Sequence, residues 1–278
     1  MRSAAGDAEH VLVVGGLAGL AVAMRRSRRR RGKAKDAGEG APEVPVTRLT
    51  VIEPDPLPGS DEAEEWLEGL RRSPEDADGL VAEGHLIVNR AMHAHQLATQ
   101  DPYGGGVPAS VALATRVGYG TGDELAEGRF TDAIEVPPAP GPRGRVDALR
   151  PQERLAATLG RRETTDACEA LLLRARADLD GERPREAALQ LRVGLEALLA
   201  EVRAEAAPAA SGGAAQVTAG QAARQVSDLE TLGERRGITG EAANEALVGG
   251  LGPERAAEVA ETLALCERVL RRRRILAQ

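Results

Sequence analysis

The sequence predicts a mainly α-helical protein with an N-terminal apolar helix and basic arm, a small α+β middle region and a C-terminal antiparallel helical bundle. Three observations support this fold class. Only four aromatic side chains occur in 278 residues, so the core must be built from Ala, Leu and Val, which favours close-packed helices. The second half of the chain repeats apolar residues at intervals of three and four. Near the N-terminus, an uncharged apolar run is followed directly by a dense basic cluster.

The apolar run covers residues 11–24 and reads VLVVGGLAGLAVAM. As a helix it would span about 21 Å, against roughly 30 Å for the hydrocarbon core of a bilayer. Snorkelling of Arg25 and Arg26 and local thinning of the bilayer can close this gap. The run therefore predicts a single-pass membrane anchor, and the basic flank would keep the following chain in the cytoplasm. The residues expected at the lipid are Val11, Leu12, Val13, Val14, Leu17, Leu20, Arg25, Arg26, Arg28, Arg29, Arg30 and Arg31.

Three other interpretations of this run stay open. Residues 21–23 have the small-x-small form of a secretory cleavage site, although an arginine run would follow the cut. An apolar run of this length is also typical of a buried helix or strand in a soluble domain. In the third interpretation VLVV is a strand, and Gly15, Gly16 and Gly19 form the turn into a helix. Residues 11–23 then resemble the start of the Rossmann fingerprint of flavin- and nicotinamide-binding proteins.

That resemblance implies a soluble nucleotide- or flavin-binding enzyme. In it, Gly15, Gly16 and Gly19 would admit the pyrophosphate and Glu53 would lie near the ribose. The sequence departs from the family pattern in two places. One position is missing between Gly15 and Gly19, and Glu53 lies 34 residues beyond Gly19 rather than about 20.

Charge is distributed unevenly along the chain. Residues 1–50 hold ten basic and five acidic side chains, whereas the whole chain has a formal charge of -7. Eight of the eleven residues from 25 to 35 are basic. The acidic remainder repels phosphate backbones, so nucleic acid would be bound by the arm alone, and we do not expect it as a partner. Anionic lipid suits the arm equally well, and a membrane surface is an expected partner.

Changes in composition divide the chain. A Pro/Gly-rich acidic stretch and a Pro-rich stretch predict two linkers, and a run of Ala, Ser and Gly predicts a flexible break. The predicted parts are residues 1–35 (apolar segment and basic flank), 36–47 (linker), 48–136 (small α+β region with two helices), 137–147 (linker) and 148–278 (helical domain with a flexible break near 207–216).

The middle region is predicted to contain two helices and a small sheet. A helix follows Ser60, and a longer one follows Pro74 and continues to about Gln100. Residues 48–53, 111–119 and 132–136 have strand composition. The long helix would carry His85, His93 and His95, but His85 and His93 would lie about 12 Å apart along it, and His93 and His95 would point to nearly opposite sides. We therefore expect no metal site.

The C-terminal region is predicted to be a helical bundle. Two helices joined by the short link GERP must fold back on each other, and residues 165–203 resemble one unit of a tetratricopeptide-like array. A further helix is expected to end near Gly237. Arg271–Arg274 end the last helix and are expected to form a solvated cap, where they match the helix dipole. Cys168 and Cys266 fall in helical patterns, which indicates neither a disulfide framework nor a metal site.

No catalytic motif is complete, since the sequence has no G-x-S-x-G, no H-E-x-x-H and no phosphate loop ending in G-K-S or G-K-T. We expect a non-catalytic helical interaction or scaffold protein without a cofactor, tethered to the cytoplasmic face of a membrane and bound to a protein partner. Residues distant in sequence can converge on a site. The alternative of a nucleotide- or flavin-binding enzyme therefore stays open.

Overall fold

The computed structural model describes residues 10–21, 43–101, 103–137, 151–162, 166–206 and 219–276. These residues are mainly helical, which confirms the predicted class in its coarse form. The chain divides into two compact units, residues 1–139 and 140–278. The boundary between them falls in the segment 137–147 that was predicted to be a linker, most of which lies outside the described residues.

Strands and helices both occur in unit 1, whereas the described elements of unit 2 are all helices. Unit 1 contains β1 (Val11–Ala21), β2 (Glu43–Ile52), α1 (Ser60–Arg72), α2 (Pro74–Thr99), a 3₁₀ turn (Ala109–Val111), β3 (Arg116–Tyr119), α3 (Gly122–Ala126) and β4 (Asp132–Glu135). Unit 2 contains α4 (Pro151–Leu159), α5 (Ala167–Asp180), α6 (Pro184–Ala206), α7 (Ala219–Val248) and α8 (Pro253–Leu276).

The N-terminal apolar segment is a strand, so the predicted apolar helix is wrong for Val11–Ala21. β1 pairs antiparallel with β2, from Val11 opposite Ile52 to Ala21 opposite Glu43. The three glycines among the eleven residues of β1 would each weaken a helix by about 1 kcal/mol relative to alanine, whereas the valines favour a strand. Residues 22–24, which complete the predicted run, lie outside the described residues.

β2 supplies the partner strand, and it begins at Glu43, inside the segment 36–47 that was predicted to be a linker. Pro45 contributed to that prediction because proline lacks the N–H that a strand ladder uses. Here Pro45 falls where the register shifts between the pairs Leu17–Val46 and Leu20–Val44. Proline is tolerated at such an irregularity.

The other sheet of unit 1 lies against its two long helices. β3 and β4 pair antiparallel, from Arg116 opposite Glu135 to Tyr119 opposite Asp132. β2 does not join them, although the sequence suggested one sheet for all three segments. A buried cluster holds these elements together. It consists of Leu67, Leu70, Ala77 and Val136, with Trp66, Leu80, Val81, Val117, Tyr119 and Ile134 packed against it.

Unit 2 contains a four-helix bundle in which neighbouring helices run antiparallel. Contacts join α5 to α6, α6 to α7, α7 to α8, and α8 back to α5. Its core is aliphatic, as the composition predicts, and it also encloses both thiols. The largest fully buried side chains there are Leu172, Leu191, Leu195, Leu198, Leu199, Leu232, Leu263, Val202, Val259 and Val269. The α5–α6 pair, which resembles a tetratricopeptide unit in sequence, thus packs with α7 and α8 in one four-helix bundle.

α7 is one continuous helix and does not end near Gly237 as predicted. Gly237 is exposed, and nothing lies within 4 Å of the position that a Cβ would occupy there. Leu232 lies before it and Ala242 and Ala246 lie after it, and all three are fully buried in the same core. Burial on both sides therefore outweighs the cost of about 1 kcal/mol that a glycine adds inside a helix.

Candidate functional site

The residues proposed for a cofactor do not form the strand–turn–helix of a dinucleotide site. Gly15, Gly16 and Gly19 all lie within β1, which continues to Ala21 in an antiparallel pair. Glu53 follows β2, beside the first residue of β1, so Gly19 lies about 27 Å away along the strand. The structure therefore does not bring Glu53 together with Gly19.

Gly15 has a different role, because it makes room for an arginine. Gly15 lies opposite Arg48 in the β1–β2 pair, and a Cβ on Gly15 would lie 3.1 Å from Arg48 Nη2. The same side chain passes Gly128, which has a φ of +71°, and Nη2 donates to the carbonyl oxygen of Ala126 at 3.3 Å. The space that the Rossmann resemblance assigns to a pyrophosphate at Gly15 is thus occupied by a guanidinium group.

The residues predicted to meet lipid fall into two sets. Val11, Leu12, Val13, Val14, Leu17 and Leu20 lie in β1. The arginines Arg25, Arg26, Arg28, Arg29, Arg30 and Arg31 lie outside the described residues. No helix in the described part of the chain combines the length and the apolar character that crossing a membrane requires.

The three histidines lie on α2, where the sequence places them: His85, His93 and His95. His85 and His93 are partly buried, and His95 is exposed. In the described ranges, no three His, Cys, Asp or Glu side chains come close enough to hold a metal ion.

A cluster of polar and charged side chains lies at one end of the helical bundle, and we call it the thiol–carboxylate cluster. It comprises Cys168 and Glu169 at the start of α5, Glu201 near the end of α6, and Arg273 and Arg274 near the end of α8. The antiparallel order of α5, α6 and α8 brings these helix ends together. Arg154 of α4 also pairs with Glu169, as Arg274 does.

Glu201 is the centre of this cluster. The thiol of Cys168 donates to Glu201 Oε2 at 2.8 Å, and the backbone N–H of Cys168 donates to Glu201 Oε1 at 3.3 Å. Arg273 Nη1 lies 3.5 Å from Glu201 Oε2. One carboxylate thus joins α5, α6 and α8 through a charged hydrogen-bond network, which is stronger than a neutral one.

Both thiols are held in the protonated form. Burial raises the pKa of Cys168 far above that of a free thiol, and the hydrogen bond to Glu201 raises it further. Burial raises the pKa of Cys266 to about 12. The thiolate is the nucleophile and the metal ligand of cysteine chemistry. Cys168 and Cys266 therefore act as packed, hydrogen-bonding side chains at neutral pH.

The predicted solvated cap at Arg271–Arg274 is wrong for Arg273 and Arg274, whereas Arg271 and Arg272 are exposed. Arg272 pairs with Asp228 of α7, Arg273 with Glu201, and Arg274 with Glu169. The side chains of Arg273 and Arg274 are only 16% and 25% exposed. The end of α8 lies beside the start of α5, where Arg274 pairs with Asp166 and Glu169. A carboxylate at contact distance attracts an arginine more strongly than the helix dipole does in water.

Arginines also connect the long faces of the bundle. Arg236 of α7 makes a bidentate pair with Glu196 of α6 at 2.8 and 2.9 Å. Arg192 of α6 donates to Asn244 Oδ1 at 3.1 Å and to the carbonyl oxygen of Gly240 at 3.2 Å. These contacts fix the register of α6 against α7.

An open groove of about 340 Å³ runs between α7 and α8. We call it the α7–α8 groove, and its lining residues are Thr231, Arg235, Glu261, Ala264, Leu265 and Arg268. Ala264 and Leu265 give it an apolar strip on α8. Arg235 lies 3.9 Å from Glu261, whereas Arg268 has no ion-pair partner among the described residues. The groove thus offers apolar area next to an uncompensated positive charge.

Comparison of this chain with models of known protein families, with curated proteins and with solved structures finds no match.

Sequence reasoning missed the thiol–carboxylate cluster because its members are far apart along the chain. Cys168 and Glu201 are 33 positions apart, and Glu169 and Arg274 are 105 apart. A local signal exists for Glu201, which sits between the buried Leu198 and Val202 on a helix whose apolar stripe it interrupts. A carboxylate at the edge of such a stripe needs a partner when it is partly buried.

Proposed function

We propose that this protein is a non-catalytic helical interaction protein with a cytoplasmic body, and that unit 2 binds a protein partner at the α7–α8 groove. The observation that carries the proposal is the lining of the groove, which combines Ala264 and Leu265 with the exposed Arg268. Apolar area beside an unpaired arginine suits a protein segment that carries apolar side chains and a carboxylate, because arginine binds carboxylates in a bidentate geometry.

The chemistry of the bundle supports a binding role. Its polar clusters are engaged in internal contacts: Glu201 accepts from Cys168, and Glu196 binds Arg236. A protonated thiol is a poor nucleophile, and the carboxylates of Glu201 and Glu196 are already bound by arginines. These groups therefore favour a role in positioning the helices that form the groove walls.

Co-purification with matched charge reversals tests this part of the proposal. Arg268→Glu reverses the unpaired charge in the groove. Arg203→Glu reverses another exposed arginine, on α6, and serves as the control. We expect the wild-type chain and the Arg203→Glu variant to retain the same proteins from native cells. The Arg268→Glu variant should not retain them. If both variants retain the same proteins, or if the wild-type chain retains none, the groove is not the binding surface.

A membrane surface is the second partner in this proposal. The density of basic residues between positions 25 and 35 supports it, because each such residue near anionic lipid adds about 1 kcal/mol of attraction. We do not retain the spanning-helix form of the tether, since Val11–Ala21 form a strand.

Fractionation of the full chain tests the membrane contact. We expect it to sediment with membranes at low salt and to be released at high salt, because the attraction is screened. The matched variant carries Arg28→Gln, Arg29→Gln, Arg30→Gln and Arg31→Gln, and we expect it in the supernatant at both salt levels. Recovery of the wild-type chain in the supernatant at low salt would contradict the contact.

A further inference from the structure

We propose that the outer edge of β1 pairs with the same edge of β1 in a second copy of this chain. The product is a four-stranded antiparallel sheet of order β2–β1–β1–β2. This inference goes beyond the proposed function, because it concerns unit 1 and does not involve the α7–α8 groove.

The edge is open among the described residues. β1 and β2 form a two-stranded sheet, so the described strands leave one side of β1 without a neighbour. β1 is eleven residues long, and alternate residues direct their N–H and C=O groups to that side. Such a row of donors and acceptors is a template for another strand.

β1 lacks two of the features by which proteins block an edge. Charged residues, proline and irregular pairing prevent edges from associating. β2 has charged residues in Glu43 and Arg48 and a proline in Pro45. From Val11 to Ala21 the sequence of β1 contains no charged residue and no proline, and its one irregularity, an extra residue, lies between Leu17 and Leu20. The regular stretch of β1 from Val11 to Leu17 is thus the part of this sheet that is suited to receive a strand.

Exposure on β1 supports the same conclusion. Val11 is 44% exposed and Val14 is 63% exposed, although both are large and apolar. The ribbon is supported through β2, which packs against α2 and α3. Addition of strands beside β1 would bury part of this apolar surface and complete the ladder.

A second copy fits this edge best, because the pairing then closes. Antiparallel pairing about a two-fold axis sets the same stretch of both chains side by side, and an uncharged strand places no like charges opposite each other. Both open edges are consumed at once, and the strands left outside are the two β2 strands. A lipid interior cannot replace the second copy, because it leaves the edge N–H and C=O groups unsatisfied.

Sedimentation of the full-length chain with two substitutions at one position tests the inference. We expect the wild-type chain to be a dimer at micromolar concentration. Val14→Lys introduces a charge on the exposed edge strand and should weaken dimerisation at least about tenfold. Val14→Thr keeps a β-branched, uncharged side chain and should dimerise as the wild type does. A wild-type chain that is monomeric at about 100 μM, or a Val14→Lys variant that dimerises equally well, overturns the inference.

A distance measurement distinguishes this dimer from one formed by another surface and from misfolding of the lysine variant. Val14→Cys carrying a nitroxide label provides it, and the buried Cys168 and Cys266 should remain unlabelled. Paired β1 strands place the two labels within about 25 Å of each other, given the length of the strand. A longer distance, or a monomer that instead binds vesicles of anionic lipid, overturns the inference.

Discussion

The two units of this protein differ in the size of their buried cores. In unit 2, four helices enclose an aliphatic core, and arginines reach carboxylates on neighbouring helices, as Arg236 does to Glu196. In unit 1, the described buried cluster is small, and β1 belongs to a sheet of two strands. Both units expose large apolar side chains, such as Val14 and Leu173. The difference teaches that unit 2 is stabilised mainly by its own core, whereas β1 in unit 1 offers a strand edge that further contacts can complete.

The largest expected effect is on the core of unit 2. Leu195→Ala should lower the free energy of unfolding by about 2–5 kcal/mol, since Leu195 is 1% exposed and its loss leaves a cavity. Far-UV circular dichroism in urea, dominated by the helices, measures this change. Trp66 is the only tryptophan, so its fluorescence reports on unit 1. The unfolding midpoint measured by this fluorescence should shift less than the midpoint measured by circular dichroism. Leu173→Ala, at a residue that is 71% exposed, is the control and should change stability by about 0.5 kcal/mol or less.

The thiols predict a loss of stability at high pH. Folding raises the pKa of Cys266 to about 12, so the folded chain keeps a proton that the unfolded chain releases from about pH 8.5 upwards. The stabilisation from Cys266 is complete below that pH and is lost as pH rises towards 12, by about 1.4 kcal/mol per pH unit. Urea unfolding at about pH 8 and pH 10 measures it. If the free energy of unfolding falls equally between these two pH values in the Cys266→Ala variant, the loss does not come from Cys266.

The thiol–carboxylate cluster should contribute more than an exposed ion pair does. Glu201→Gln removes the negative charge that faces Arg273 at a site where the side chains are 16% and 24% exposed, and should cost about 1–3 kcal/mol. Glu196→Gln breaks the pair with Arg236, where the side chains are nearly half exposed, and should cost about 1 kcal/mol or less. Chemical denaturation of both variants decides the order. Equal losses would show that burial adds nothing at Glu201.

The smallest expected effect is a gain. Gly237→Ala in the exposed middle of α7 should stabilise unit 2 by about 0.5–1 kcal/mol, because nothing obstructs the new Cβ and alanine favours the helix. Gly118→Ala in β3 is the opposite case, since its Cβ would clash with the carbonyl oxygen of Asp132. The midpoint temperature of thermal unfolding should therefore rise in the Gly237→Ala variant and fall in the Gly118→Ala variant.

Sequence alone predicts the helices of unit 2 well, because an apolar stripe with a spacing of three and four fixes both helix and buried face. It fails at α7, because the sequence shows that Gly237 disfavours a helix but does not show that Ala242 and Ala246 are buried beyond it. It fails at β1 for a different reason. An uninterrupted apolar run has no period that separates a helix from a strand, and its partner β2 begins in a proline-containing stretch that reads as a linker.

The candidate sites follow the same division. Gly15 is visible in the sequence as part of a glycine-rich run, but only its pairing with Arg48 shows what its missing side chain accommodates. Arg273 is visible as part of a basic helix end, but Glu201 and Cys168 come from two other helices. Local patterns therefore locate polar residues, and tertiary packing decides which of them meet.

Amide hydrogen exchange along residues 11–21 of the full-length chain, at low and high protein concentration, tests the central claim most directly. β1 paired only with β2 should protect alternate amides in dilute solution, because only every second residue faces β2. At high concentration, the remaining amides should become protected as the second copy binds. Protection of successive amides in a helical pattern, or outward amides that exchange equally fast at every concentration, would contradict the account of β1 as an open edge strand.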